Sequence, residues 1–399
     1  MNTPRYWLAS FALLLAGFAT FAALYDVQPL LPALARQFDV SPATASLALS
    51  ASTAALAVAL FVAGSLSESF GRKAPIVASL VISSAITLLC AAVPNFGTLI
   101  ALRLLDGIAI SGVPAIAMAY ISEEVAPEAL GFSMGLYVAG TALGGMSGRF
   151  IVGFVADAAG WRASLLAIGA VGIGCAVVVA LLLPASRNFT PHPQSLRGHV
   201  AAYLAHTADA GLPWLYATSF LIMGAFVTIY NYVGFRLALP PYLLSQAAIG
   251  SIFVVYLIGG AASAIVGRLA DRYGRRNVLW ICEGIFLAGA LVTLAGDLAT
   301  IVSGIAILTV GFFGAHSVAS SWVGRRAIEN RSHASALYLF AYYLGSSVLG
   351  SLGGLVFGTS GWVGTVCAVA AVLAVALFIA VTVLRVVPPA ATRAEATRG

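Results

Sequence analysis

The chain has 399 residues, of which 61% are hydrophobic and only 9% charged, with a net charge of +6. An ordinary soluble domain carries roughly 25% charged residues, so this chain lacks the charge to cover a water-facing surface, and lipid must be the solvent for most of it. The basic excess is scattered over short loops, which argues against a nucleic-acid partner.

A membrane span needs about 20 apolar residues. Twelve such runs occur in chain order: 7–33, 45–65, 75–94, 98–120, 131–158, 162–183, 213–235, 247–267, 277–296, 300–323, 333–357 and 362–385. Strand-like alternation of the outer-membrane barrel kind is absent. The predicted fold class is an all-α membrane protein with 12 transmembrane helices in two pseudo-symmetric six-helix bundles. The first run follows Arg5 as in a signal peptide, but its length and the eleven runs after it predict a retained helix. Loops are short except between Pro184 and Leu212. This predicts a bundle over 1–184, a linker with a surface helix over 185–212, a second bundle over 213–387 and a tail over 388–399. In the linker, Leu196, Val200, Tyr203 and Leu204 share a helical face suited to lie on a membrane. His192, His199 and His206 there read as solvated residues, not metal ligands. Cys90, Cys175, Cys282 and Cys367 stand far apart in apolar runs and are expected to pack. With both termini cytoplasmic, fifteen of the twenty Lys and Arg residues fall inside, as the positive-inside rule requires.

The chain repeats itself. Gly64-Ser65-Leu66-Ser67-Glu68-Ser69-Phe70-Gly71-Arg72-Lys73 recurs 203 positions later as Gly267-Arg268-Leu269-Ala270-Asp271-Arg272-Tyr273-Gly274-Arg275-Arg276. Each copy is a basic hairpin between two spans. Leu136-Tyr137, Leu143-Gly144, Gly153 and Gly160-Trp161 align without gaps on Leu337-Tyr338, Leu344-Gly345, Gly354 and Gly361-Trp362, and Tyr25-Asp26 on Tyr230-Asn231. Parallel repeats put a substrate site between the halves near mid-membrane, lined by spans 1, 4, 5, 7, 10 and 11.

The hairpin pattern Gly-x-Leu-x-Asp-x-x-Gly-Arg-Lys/Arg resembles the signature loop of the major facilitator superfamily, and the resemblance covers essentially the whole chain. Arg103-Leu104-Leu105-Asp106-Gly107 is similar to that family's Arg-x-x-x-Gly motif linked to proton coupling. Gly140-x-x-x-Gly144-Gly145-x-x-Gly148-Arg149 resembles its antiporter motif, with Gly145 for the Pro and Arg149 for the last Gly. Leu24-Tyr25-Asp26-Val27-Gln28-Pro29 and Gly311-Phe312-Phe313-Gly314-Ala315-His316-Ser317 look like the YnfM-like inner-membrane branch, grouped with arabinose-type and drug efflux permeases. The resemblance implies secondary transport in a bacterial inner membrane, driven by a proton gradient with no cofactor.

A charge inside a span costs at least about 2.5–3.5 kcal/mol, so the embedded charges carry the functional expectations. Asp26, Arg103, Asp106 and Arg149 are expected to form a paired network in which Asp26 or Asp106 exchanges a proton; the alternative is a static lattice locking spans 1, 4 and 5. Glu283 is expected to pair with Arg275 or Arg276, and His316 is a second proton candidate. Tyr25, Gln28, Tyr230, Asn231, Tyr232, Tyr338, Tyr342 and Tyr343 are the expected cavity lining. Gly140, Gly144 and Gly148 form a close-packing stripe. Gly64, Glu68, Gly71 and Arg72, with Gly267, Asp271, Arg272, Gly274 and Arg275, form the expected conformational clasp. In it Asp271 accepts helix-start amides while Arg275 takes a nearby carboxylate, tying the halves together. The expected activity is export of a small organic solute by proton antiport, by a monomer in the lipid bilayer. Proton symport inward and a non-transporting receptor are the alternatives. No metal site or enzyme constellation is expected.

Overall fold

Proline lacks an amide donor and clashes with the preceding turn, so it ends helices. Pro29 and Pro32 do so here. Helix α1 (Pro4–Tyr25) stops short, residues 26–30 form turns, and an eight-residue helix α2 (Leu31–Phe38) follows. The continuous span expected over 7–33 is thus corrected, and Asp26 falls in the break. The computed structural model describes residues 4–187 and 196–387 and contains no strand among them. His192, the tail over 388–399 and the side chains of 63–70 lie outside the described residues. The last stretch includes the expected clasp positions Gly64 and Glu68.

The remaining helices are α3 (Pro42–Phe70), α4 (Lys73–Cys90), α5 (Phe96–Ile110), α6 (Gly112–Glu124), α7 (Pro127–Leu182), α8 (Leu196–Thr207), α9 (Leu212–Leu237), α10 (Gln246–Ser251), α11 (Tyr256–Tyr273), α12 (Arg275–Val292), α13 (Leu298–Arg326), α14 (Arg331–Phe378) and α15 (Leu384–Val386). Among the described residues, nine stretches are long and apolar enough to cross a membrane. Two of them, Phe132–Leu182 and Arg331–Val386, run 51 and 56 residues. Each is broken at a left-handed glycine, Gly160 (φ 84°) or Gly361 (φ 59°). The hydroxyl of Ser164 reaches the carbonyl of Val152, so the two arms of α7 lie side by side. Counting both arms gives eleven crossings. The twelfth is α12, which carries Arg275, Arg276 and Glu283.

Equivalent positions do equivalent work in the two halves. Gly71 and Gly274, which open the hairpins, have φ of 73° and 88°, where an L side chain would be strained. Ser41 and Ser245 cap α3 and α10; Asn95 and Asp297 cap α5 and α13. The Gly140, Gly144 and Gly148 stripe of α7 lies against the backbone of α1 at Leu14, Phe18 and Ala22. Gly345 lies on Phe220 in the same way, so repeat and packing agree.

The described chain divides into two units. Unit 1 holds 4–187 with Tyr230–Leu257; unit 2 holds 196–229 with 258–387. The boundary between the units falls between Ile229 and Tyr230, within the continuous helix α9.

In unit 2 the linker helix is docked, which corrects the expectation of solvated histidines. His199 Nδ1 lies 2.9 Å from His333 Nε2, and His206 Nε2 lies 3.0 Å from the carbonyl of Asn330. Tyr203 packs edge-on against His333. Asp209 then ties the start of α9 to the end of α13 by bonding Arg326 Nε, while accepting the amides of Gly211 and Leu212. Burial alone would raise the Asp209 carboxyl, but the Arg326 bond and these two amides outweigh it and hold it below the usual range. A depressed carboxyl adds stability above its unfolded pKa and loses it as pH falls through the folded value.

Two outcomes follow. Asp209→Asn lowers the thermal midpoint of the detergent-solubilised protein at neutral pH by about 1–2 °C, and the difference from wild type closes as pH falls below the ordinary aspartate range. Gly144→Val, whose side chain overlaps the Phe18 carbonyl, costs about 1–3 kcal/mol of overpacking, read as a lowered midpoint in the same assay.

Candidate functional site

Because α1 ends at Tyr25, the carbonyls of its last turn have no partner further along the helix. Arg103, from the middle of α5, supplies them. Its Nη1 donates to Ala23 O at 3.3 Å and its Nη2 to Leu24 O at 2.8 Å; Nε donates to Ala48 O of α3 at 3.0 Å. A cation at a helix carboxyl end also meets the negative pole of the helix dipole. The guanidinium is therefore fixed by three backbone oxygens and is fully buried. Gly107, one turn on, brings α5 so close to α3 that a Cβ would overlap the Ser52 carbonyl.

Two carboxylates share that one cation. Arg103 Nη1 lies 3.2 Å from Asp26 Oδ1 and 3.2 Å from Asp106 Oδ2, and all three side chains are 0% exposed. They are not equivalent. Ser83 of α4 donates to Asp106 Oδ1 at 2.6 Å, whereas neither oxygen of Asp26 has a hydrogen bond among the described residues. Asp26 is the less supported acid: beside the ion contact, only the adjacent Val27 amide adds a weaker contact among the described residues.

Arg149, on the amino-terminal arm of α7, stands apart. It makes no ion pair with a carboxylate among the described residues, which corrects the expected four-charge network. Its Nε donates to Gln28 Oε1 at 2.7 Å and its Nη1 to the Gly145 carbonyl at 2.6 Å. The rings of Tyr25, Phe253 and Tyr256 lie 4.2, 4.9 and 4.9 Å from its guanidinium carbon, so cation–π attraction replaces a counter-ion. Gln28 then donates to Asn231 Oδ1 at 2.7 Å. Below this chain of contacts, Gly153 of α7 meets Gln246 and Gly250 backbone to backbone. Tyr230 packs on Phe253 and Tyr256, and Tyr232 is buried beside Phe235.

The other expected lining residues belong to unit 2. His316 stacks on Phe312 and meets Tyr342, while the Tyr338 hydroxyl lies 2.9 Å from His316 Nδ1; Tyr343 packs on Tyr342. Five cavity candidates thus lie in unit 1, with Tyr25, Gln28, Asn231 and Tyr230 joined to Arg149 directly or through its partners and Tyr232 set beside Phe235, and three lie near His316 in unit 2.

The hairpins carry mirrored ion pairs. Arg72 pairs with Glu123 at the end of α6. Asp271 is held by Arg275, the counterpart of Arg72, and by Arg325 at 3.1 Å. Among the described residues Asp271 accepts from Arg275 and Arg325 and not from helix-start amides, contrary to expectation, and each pair lies inside its own unit. Arg272 lies over Tyr273, and a Cβ at Gly267 would lie 4.0 Å from Ser317 Oγ, an ordinary contact. Glu283 pairs with neither Arg275 nor Arg276, since Arg275 holds Asp271 and Arg276 bonds Asn277. Sequence reasoning missed Ser83, Phe253, Tyr256 and Gly250. Only the Ser83-Ser84 pair inside an apolar span offered a signal.

Removing the shared cation should be costly for a definite reason. Arg103→Gln removes the cation from two buried carboxylates and the guanidinium donors from three carbonyls, and lowers stability by about 3–5 kcal/mol. Adding Asp26→Asn and Asp106→Asn recovers part of that loss in thermal unfolding of the purified protein.

The profile of the Major Facilitator Superfamily matches residues 9–239 and 215–399. The uncharacterized MFS-type transporter YybF of Bacillus subtilis is 43% identical over 378 residues, 95% of this chain and 94% of that protein. The inner membrane transport protein YnfM of Escherichia coli is 43% identical, covering 95% and 91%. Among solved structures, a bacterial homologue of the lysosomal transporter Spinster superposes with a TM-score of 0.80 at 14% identity, covering 96% of this chain and 98% of that one. A D-xylose–proton symporter gives 0.74 at 15% identity, covering 96% and 97%. These two share the fold. With a family profile spanning both halves and close relatives covered nearly end to end, this chain belongs to the major facilitator superfamily and is a secondary transporter of the YnfM-like branch.

Proposed function

We propose that the protein exports a small organic solute by exchange for protons, through alternating access, with Asp26 as the proton carrier. The observation that carries this reading is one guanidinium shared by two buried carboxylates, of which only Asp106 accepts a side-chain hydrogen bond among the described residues. Because Arg103 is tied to three backbone oxygens, it serves as a fixed counter-charge, and the carboxylate is the partner free to change state. A proton on Asp26 leaves Arg103 and Asp106 as a neutral pair; losing that proton restores the shared contact. Ser83 keeps Asp106 in place meanwhile.

Charge bookkeeping supports exchange. With both acids ionised, Asp26 and Asp106 balance Arg103 and Arg149. A proton adds one positive charge in a site of low dielectric, and a cationic solute would add another. The two therefore exclude each other, as antiport requires. The orientation places both termini and the basic hairpins in the cytoplasm, following the distribution of Arg and Lys, and puts Asp26 and Arg149 in the outer half. Opening outward then requires parting the Gly153–Gly250 contact and the Arg149–Gln28–Asn231 chain. The hairpin ion pairs serve as clasps at the cytoplasmic ends. The lipid bilayer, the solute and protons are the only partners invoked, and the monomer suffices.

Arg149 favours one alternative. A buried guanidinium without a carboxylate suits an anionic solute, and such an anion would offset a bound proton instead of excluding it. That outcome is symport.

The test uses proteoliposomes enclosing a pH-sensitive dye, challenged with a panel of drugs, sugars, amino acids and organic acids. The wild type releases protons in response to its solute, and Asp26→Asn falls to the level of protein-free liposomes. Proton uptake together with the solute would select symport. Full proton movement in Asp26→Asn would remove Asp26 from the coupling role.

A further inference from the structure

Glu283 is an acid with nothing to balance it. Its side chain is 0% exposed, and neither carboxyl oxygen has a hydrogen-bond partner among the described residues. It lies in unit 2, on the buried stripe of α12 with Leu279, Phe286 and Ala290. That stripe faces elements of the same unit: α13, α14 and the π-helical segment Ile379–Val383 between α14 and α15.

None of those elements offers it a charge. The buried face of α13 runs through Leu308, Gly311, Ala315, Val318 and Ala319, with no ionisable side chain. Its titratable groups are committed elsewhere: His316 to Tyr338, Arg325 to Asp271, Arg326 to Asp209. On α14, His333 is bonded to His199, Arg331 to the Ala327 carbonyl, and Tyr342 and Tyr343 pack on each other. The buried face of the second arm of α14 is Val366, Val369, Leu373 and Ala376, continued by Ile379 and Ala380; Cys367 is exposed. Arg385 follows on α15 at its far end. On α12 itself, Cys282 points at Gly314.

An ionised carboxylate in such surroundings costs several kcal/mol with no partner to offset it, so the group neutralises. A proton is the one counter-charge able to reach it. We propose that Glu283 is a second proton-binding site of this transporter, in unit 2, loaded with its proton in the conformation described. The proton comes off when rearrangement of α12 against α13 and α14 admits water. This deepens the proton-driven reading above and rests on it for a role in transport, while the protonation is read on its own.

The experiment is infrared spectroscopy of the reconstituted protein, following the carbonyl stretch of protonated carboxylic acids as pH is raised. At neutral pH the wild type shows such a band in an apolar environment. Raising pH removes it reversibly. Glu283→Gln lacks this band, Glu283→Asp keeps one at a shifted frequency, and Asp26→Asn retains the Glu283 band. The proposal is overturned if the wild-type band is missing at neutral pH, persists in Glu283→Gln, or does not respond to pH while the protein stays folded. Because Asp26→Asn is read in the same spectra and in the dye assay, loss of the Asp26 reading and loss of the Glu283 reading give different records.

Discussion

Where the guanidinium of Arg103 can sit decides most of the chemistry of unit 1. Helix α1 ends in mid-protein, and its carbonyls need donors in a solvent that supplies none. An arginine from α5 is long enough to reach two of them and one more on α3, and it brings a positive charge that must then be answered. Asp26 is placed at the helix break by Pro29 and Pro32; Asp106 is placed one turn beyond Arg103 on the same face. The break, the cap and the ion triad are thus one construction. A static lattice would be expected to support both acids equally. In the proposed cycle, the inequality between Ser83-bound Asp106 and the less supported Asp26 makes Asp26 the group free to change charge.

The fold repeats while the charges do not. Left-handed glycines, helix caps and the close approaches at Gly144 and Gly345 recur at nearly constant offset. The equivalent of Asp26 is Asn231, and the ungapped alignment sets Gly350 opposite Arg149. The equivalent hairpin bases Arg72 and Arg275 keep their sign but take different acids, Glu123 and Asp271. Packing must be conserved across a duplication because both halves solve the same burial problem. Buried charge carries a cost in each half separately, so each can keep only the charges its own task uses.

Much of this was legible in the residues themselves. Apolar runs gave the spans, the duplicated loop gave the two halves, and Gly160-Trp161 with Gly361-Trp362 marked the turns that later proved to have positive φ. What escaped had physical causes. The stop after Tyr25 was signalled by two prolines, but overall hydropathy carried the run to 33. Arg149 was assigned a carboxylate because a buried cation ordinarily has one; three aromatic rings contributed from α1 and the α10–α11 region were invisible to charge counting. His199 and His206 looked solvated because nothing local announces that His333, more than a hundred residues away, receives the linker helix. Counting charges pairs Glu283 with Arg275 or Arg276, but those bases lie about two turns away along α12 and are taken by Asp271 and Asn277.

The two buried acids left over, Asp26 in unit 1 and Glu283 in unit 2, pose different problems to the same proton. Asp26 has a cation 3.2 Å away and competes with Asp106 for it, so its charge depends on small movements of α1 against α5. Glu283 has no cation paired with it among the described residues, so in the proposed cycle its charge depends on whether water reaches α12. A group of the first kind responds to geometry and a group of the second kind to access. An alternating-access protein changes both at every turn, which makes the pair sensitive to complementary parts of one cycle.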